Sequence, residues 1–316
     1  MSRLRRASLA VLLGCAAAAF GVGVTHAALD GRTANPGNVV SAAADFQPPA
    51  IANLAVIATN GTANALQSGA DYRVYANVTD GGNPASGVAS VTANVANLTA
   101  GQTAVALAAG SFTVSGVTYN RRSALLTAGT LPSGPRAFSA TATDNAANTA
   151  TANATATVDN AFPSATNIQT VSGGQTGRPS AGDSVVYTFS EPVQAATILA
   201  GWTGAATNID VRIRNGGNPT GDRLEVWSGG TSVALGTVNL GRSDYMSGGN
   251  AWFYDSTMTM SGSTVTIVLS SPTGTANTAA GPATMSWVPS TAVRDLAGNA
   301  LAATQANESG ALDVDF

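Results

Sequence analysis

The sequence predicts an all-β protein built from two β-sandwich units in series. Three observations carry this. Thr149–Asp159 alternates strictly, with Ala150, Ala152, Ala154, Ala156 and Val158 on one parity and Thr149, Thr151, Asn153, Thr155 and Thr157 on the other. That is the mark of a strand with one dry face and one wet face. An Asx-rich turn, Asp144-Asn145-Ala146-Ala147-Asn148, recurs as Asp295-Leu296-Ala297-Gly298-Asn299, so one closing device serves two halves of the chain. Asp and Asn form such turns because their side chains bond nearby backbone. No segment sustains a helical period, and the short apolar runs are bounded by Gly, Pro and Asn.

The chain opens Met-Ser-Arg-Leu-Arg-Arg, continues apolar and small over Ala7–Val24, and reaches Thr25-His26-Ala27. A basic start, an apolar middle and a small-x-small end predict a secretory signal peptide over 1–27, with Ala28 as the mature N-terminus. Leu12-Leu13-Gly14-Cys15 also resembles a lipobox, which would instead place a lipid anchor on Cys15. The residues after Cys15 stay apolar, which favours free secretion.

Removing 1–27 removes the one Cys, the one His and three of the 14 basic residues. The mature chain then carries 11 basic against 17 acidic residues, a net of −6. An acidic chain with scattered Arg is no nucleic-acid binder. Without Cys the exported fold has no disulfides and rests on sheet packing. Without Lys it forms no Lys–Asn isopeptide cross-link. No second apolar run approaches the length of a membrane span, so no transmembrane segment is expected in the mature chain. The expected location is secreted, extracellular or cell surface.

Residues 28–46 form an N-terminal extended segment. It has a turn at Asn35-Pro36-Gly37-Asn38 and a short strand pattern over Val39–Phe46, and Pro48-Pro49 stiffens its exit. The first sandwich spans 47–160. Its expected strands are Ile51–Thr59, Tyr72–Thr79, Val88–Val95, Thr103–Leu107, Gly110–Tyr119, Ser123–Thr127, Phe138–Thr143 and Thr149–Val158. Tyr72, Val74, Val91 and Phe138 are expected opposite the small Ala face of the last strand. The second sandwich spans 161–316, with inserts around Ile198–Asn208 and Asn239–Asn250. Its strands are Ser184–Ser190, Ile209–Arg214, Leu224–Trp227, Ser232–Leu240, Ala251–Met260, Thr264–Ser270 and Thr284–Val288. Leu312, Val314 and Phe316 alternate as a final strand.

Ala140-Thr141-Ala142-Thr143-Asp144-Asn145-Ala146-Ala147-Asn148 is similar to the last hairpin of bacterial immunoglobulin-like (Ig-like) domains, which commonly reads Ala-Thr-Asp-x-Ala-Gly-Asn. Phe189-Ser190-Glu191-Pro192-Val193 with Asp295–Asn299 resembles the same domains again. The resemblance implies two Ig-like β-sandwich domains in tandem. Ala147 stands where Gly is usual. The stretch Asn38-Val39-Val40-Ser41-Ala42 to Asp45-Phe46 weakly resembles the mature start of TasA/camelysin-type matrix-fibre subunits. That resemblance implies a strand over 28–46 able to pair with a neighbouring copy.

The mature chain has no residues for a Cys/His metal site, a Ser-His-Asp triad or a Cys-His pair. No metal or cofactor is expected. Calcium needs only oxygen ligands. Asp144/Asn145/Asn148, Asp159/Asn160 and Asp295/Asn299 are its candidates, against the plainer reading that each Asx caps its own turn. Glu225 near Asp222 is the best carboxylate pair for hydrolysis, and Glu225 is expected to face solvent beside Arg223. All four Trp, Trp202, Trp227, Trp252 and Trp287, lie in the second half, and with Tyr245 and Tyr254 they could form a stacking platform for sugar rings. Trp202 and Trp252, in or beside the inserts, are expected to be the exposed pair and the candidate ligand-binding residues.

These readings point to a secreted or cell-surface structural or adhesive Ig-like protein without catalytic activity. Self-association, other surface proteins or cell-surface glycans are the expected partners. The alternative is a carbohydrate-binding surface protein that uses the aromatics of the second domain.

Overall fold

The computed structural model describes residues 45–316 except 60, 219 and 311–313. The signal peptide, the Cys15 anchor and all but the end of the 28–46 segment lie outside the described residues. The chain is all-β, about 50% strand and 1% helix, in two sheets. Among the described residues no helix is long and apolar enough to cross a membrane.

The first sheet holds β1 (Ala50–Ala58), β2 (Ala65–Leu66), β3 (Asp71–Thr79), β4 (Val88–Asn94), β5 (Val105–Val114), β6 (Val117–Ser123), β7 (Leu126–Thr127), β8 (Gly134–Asp144) and β9 (Thr149–Val158). Their order is β1-β3-β6-β5-β4-β8-β9-β2, with β7 on β3. β8 and β9 pair in unbroken register from Gly134↔Val158 to Thr143↔Thr149. The Thr face of β9 is exposed, and its Ala face is half-buried to buried. Tyr72, Val74, Val91 and Phe138 bury together with Ala142, Ala156 and Val158. Large side chains therefore fill the space that Ala leaves, each stabilising the fold by roughly 1.5–3 kcal/mol.

The second sheet holds β10 (Ala165–Val171), β11 (Ser184–Phe189), β12 (Thr207–Arg214), β13 (Arg223–Ser228), β14 (Thr231–Asn239), β15 (Asn250–Ser261), β16 (Thr264–Val268), β17 (Pro272–Thr273), β18 (Ser286–Val288) and β19 (Ala306–Asn307). The order is β10-β11-β16-β15-β12-β13-β14-β18-β19, with β17 on β15. Val185, Tyr187 and Phe189 form the buried parity of β11, facing a core that includes Val265, Ile267 and Leu269. Trp287 is fully buried. Tyr187 and Phe189 meet its ring edge-on at 5.1 and 5.2 Å. Its Nε1 donates to the Leu235 carbonyl at 2.6 Å, so the indole is buried without an orphaned donor.

Both sheets curl until their ends meet. In the first, Ile57 bridges Ala63. Asn64 N–H donates to the Val56 carbonyl at 2.7 Å, and Thr157 N–H donates to the Asn64 carbonyl at 2.8 Å. In the second, β19 lies against β10, and Ser309 N–H donates to Asn167 Oδ1 at 2.9 Å.

Two expected strands are corrected and two elements were not expected. Gly110–Tyr119 is not one strand, because Ser115 and Gly116 take positive φ and turn the chain from β5 into β6. Ala165–Val171 is a strand although only Ile168 is fully buried in it. The insert after β11 contains one short helix, α1 (Ala195–Ile198). Val314–Phe316 is not in a strand; Phe316 buries its ring against Tyr245.

Candidate functional site: two carboxylate poles and an aromatic face

Each unit ends in a pole where three carboxylates converge. In the first, Asp45, Asp80 and Asp144 place one oxygen each within 4.8 Å of the others. In the second, Asp159, Glu191 and Asp295 do the same. The two poles repeat one plan. The first member precedes the unit, the second follows β3 or β11, and the third begins the turn after β8 or its counterpart. Asp144 accepts from Asn148 N–H and Nδ2, both at 2.8 Å. Asp295 accepts from Asn299 N–H at 2.8 Å and Nδ2 at 2.7 Å, and also from Gly298 N–H at 2.7 Å. The turn Asn then reaches the carbonyl of the first member. Asn148 Nδ2 donates to Asp45 O at 3.2 Å, and Asn299 Nδ2 to Asp159 O at 3.0 Å.

Their electrostatics differ. Asp45 is held below the ordinary carboxylate range by the N–H groups of Gln47 and Ser86. Glu191 is pushed up, first by burial and then by the negative charges of Asp159 and Asp295. In the first pole Asp80 Oδ2 accepts from Gly87 N–H at 2.5 Å, while its Oδ1 is buried without a partner. Both triads offer oxygen donors of the kind a hard cation takes. The turn bonds give Asp144 and Asp295 a structural role without one.

The second pole abuts the first unit. Thr62 donates to the Leu296 carbonyl from N–H at 3.0 Å and from Oγ1 at 3.2 Å. Asn160 is tied back by Ser68 N–H, donating to its Oδ1 at 2.8 Å, and by its own Nδ2, donating to Leu131 O at 2.9 Å. Pro163 O accepts from Ala302 N–H at 2.8 Å. Only Ala161 and Phe162 separate these two anchorages. A half-open cleft of about 220 Å³ lies at the junction, between Thr59, Gln67 and Asp71 on one side and Ala297 and Gly298 on the other.

A third cluster covers the outer face of β13, β12 and β15. Cross-strand register places Arg212 between Trp252 and Glu225, and Trp227 opposite Asp210. These residues share the parity opposite the buried Val211, Ile213, Leu224, Val226 and Phe253. The Arg212 guanidinium lies 4.9 Å from the Trp227 ring centroid and 5.2 Å from that of Trp252. Its Nε donates to Glu225 Oε2 at 2.9 Å, and Arg214 stands 4.0 Å from Glu225 Oε1. Tyr254 stacks on Trp252, the rings within 2° of parallel at 5.4 Å.

The residues singled out from sequence divide. Trp252 is partly exposed and belongs to this face. Trp202 does not: the expectation that it is exposed is overturned. It is 7% exposed within the core, and its Nε1 donates to Ala205 O at 2.6 Å. The turn after α1 carries its ring inward rather than out on the insert. Asp222 and Glu225 are not brought together. Asp222 is fully buried, accepting from Gly216 and Met246 N–H groups, and burial pushes its carboxyl up. Glu225 points the other way and pairs with Arg212 and Arg214 rather than Arg223. Trp227 and Tyr254 stood among the aromatics weighed as a sugar-stacking platform without being singled out, and Arg212 was not anticipated, although each sits on the polar parity of its strand, which was the available signal. No protein-family model matches this chain, and no curated protein sequence matches it.

Proposed function

We propose that this chain is a secreted, non-catalytic structural or adhesive protein whose two β-units are Ig-like sandwiches joined as a stiff pair. The observation that supports this most is the junction. Two residues separate the anchorages of Asn160 and Pro163, and the second pole bonds directly to Thr62. A linker this short leaves little freedom to hinge. Asp222 and Glu225, the pair best suited to hydrolysis in the sequence, are split between the core and an ion pair. Small-angle scattering of the secreted protein tests the reading. One fixed interdomain geometry, unchanged by dilution, is expected. Free reorientation of the two units would overturn it.

A further inference from the structure

The Trp227–Arg212–Trp252–Tyr254 cluster takes no part in the core or the junction. We propose that it is a binding face for an uncharged, β-linked polysaccharide. The surrounding chemistry excludes the other ligand classes. A cation would compete with Arg212, which already occupies the space beside both indole rings. A polyanion finds no excess of positive charge, because Glu225, Asp210 and Asp255 offset Arg212, Arg214 and Arg223, which lies opposite Arg214, and the mature chain is acidic. An apolar protein partner would strip water from Glu225 and Arg214, at a cost its small aromatic contact does not offset.

A neutral sugar chain meets each feature. The carbon–hydrogen face of an equatorially substituted pyranose packs on an aromatic ring, and Tyr254 keeps 48% of its surface in water at the open end of the stack. The hydroxyls reach Arg214, 46% exposed, and the Glu225 carboxylate beside it. All six side chains stand on β12, β13 or β15, and Arg212 is already held by Glu225, so little ordering is needed on binding. This inference is independent of the stiff-pair reading.

Titration of the secreted protein with cellohexaose and with chitohexaose, followed by tryptophan fluorescence and calorimetry, tests it. A saturable response to at least one is expected. Tyr254→Ala and Trp252→Ala should each weaken it about tenfold or more. Val171→Thr, an exposed change on β10 away from this face, should leave it unchanged. Tyr254→Ala alters an exposed ring, so its fold should survive and its melt will confirm that. No saturable response to either sugar overturns the proposal. So does binding of polygalacturonate in their place, or sugar binding that a folded Tyr254→Ala retains in full.

Discussion

The two poles are copies of one device in different circumstances. Asp144-Asn145-Ala146-Ala147-Asn148 and Asp295-Leu296-Ala297-Gly298-Asn299 lock in the same way, by an Asp that accepts from the Asn four residues on. At the first pole, Asn145 turns its amide inward to the carbonyls of Ser86 and Gly87. At the second, Leu296 occupies that position and its carbonyl receives Thr62 from the neighbouring unit. The lock is therefore a property of each unit, whereas the docking belongs to the residues at the tip. The difference teaches that one turn serves two ends: at the first pole its tip side chain clamps the unit's own loop, and at the second its tip carbonyl bonds the neighbouring unit.

The largest expected effect comes from breaking the locks. Asp295→Ala removes three bonds, those its carboxylate accepts from the Gly298 N–H, the Asn299 N–H and the Asn299 amide, in a site where Asp295 and Asn299 are 1% and 2% exposed. The Asn299 amide keeps the Asp159 carbonyl and the Gly298 N–H keeps the backbone carbonyl of Asp295, so one donor is orphaned and two bonds are lost, about 3 kcal/mol in all. Asp144→Ala orphans the Asn148 N–H and removes one bond of an amide that keeps the Asp45 carbonyl, so about 2 kcal/mol is expected. Calorimetric melts that show equal losses would break the comparison.

The next effect lies in the backbone. Ala147 holds φ at 67° and Gly298 at 98°. A left-handed Ala costs ~1–2 kcal/mol in the fold, partly offset because Gly is freer when unfolded. Ala147→Gly should therefore stabilise the first unit by about 0.5 kcal/mol, and Gly298→Ala should destabilise the second by ~1–2 kcal/mol. Opposite signs in denaturant titrations are the check.

The smallest effect concerns charge. Glu191 is crowded by Asp159 and Asp295, so Glu191→Gln in chelator should stabilise the second unit slightly, by about 0.5 kcal/mol. The same pair of melts in millimolar calcium sharpens the contrast between the poles. A reversal of sign there would mean that the triad holds a cation whose ligand charge has been removed.

The fold was legible where alternation was strong. Val185, Tyr187 and Phe189, and the Thr/Ala faces of β9, fall where a period of two puts them. It was illegible where one residue decides. Ser115-Gly116 is a turn dipeptide that the strand reading of Gly110–Tyr119 passed over, and β10 buries only Ile168 fully. The triads could not be read, because Asp45, Asp80 and Asp144 are far apart in the chain and meet only when the sheet curls. Trp252 was singled out, whereas Trp227 and Tyr254 were only counted among the aromatics, because their neighbourhood depends on the β12–β13 and β12–β15 registers. Trp202 shows the reverse error: a Trp in an insert was expected outside, but one turn of α1 is enough to bury it.

The curling of both sheets has a consequence for life at high concentration. A sheet edge with unpaired N–H and C=O groups templates the addition of other strands, and with it aggregation. Here Asn64 fastens β1 to the strand pair β2–β9, and Ser309 brings the far end of the second sheet back to β10. Copies crowded together therefore offer one another few rungs to extend, and the contacts they make are left to side chains rather than to backbone.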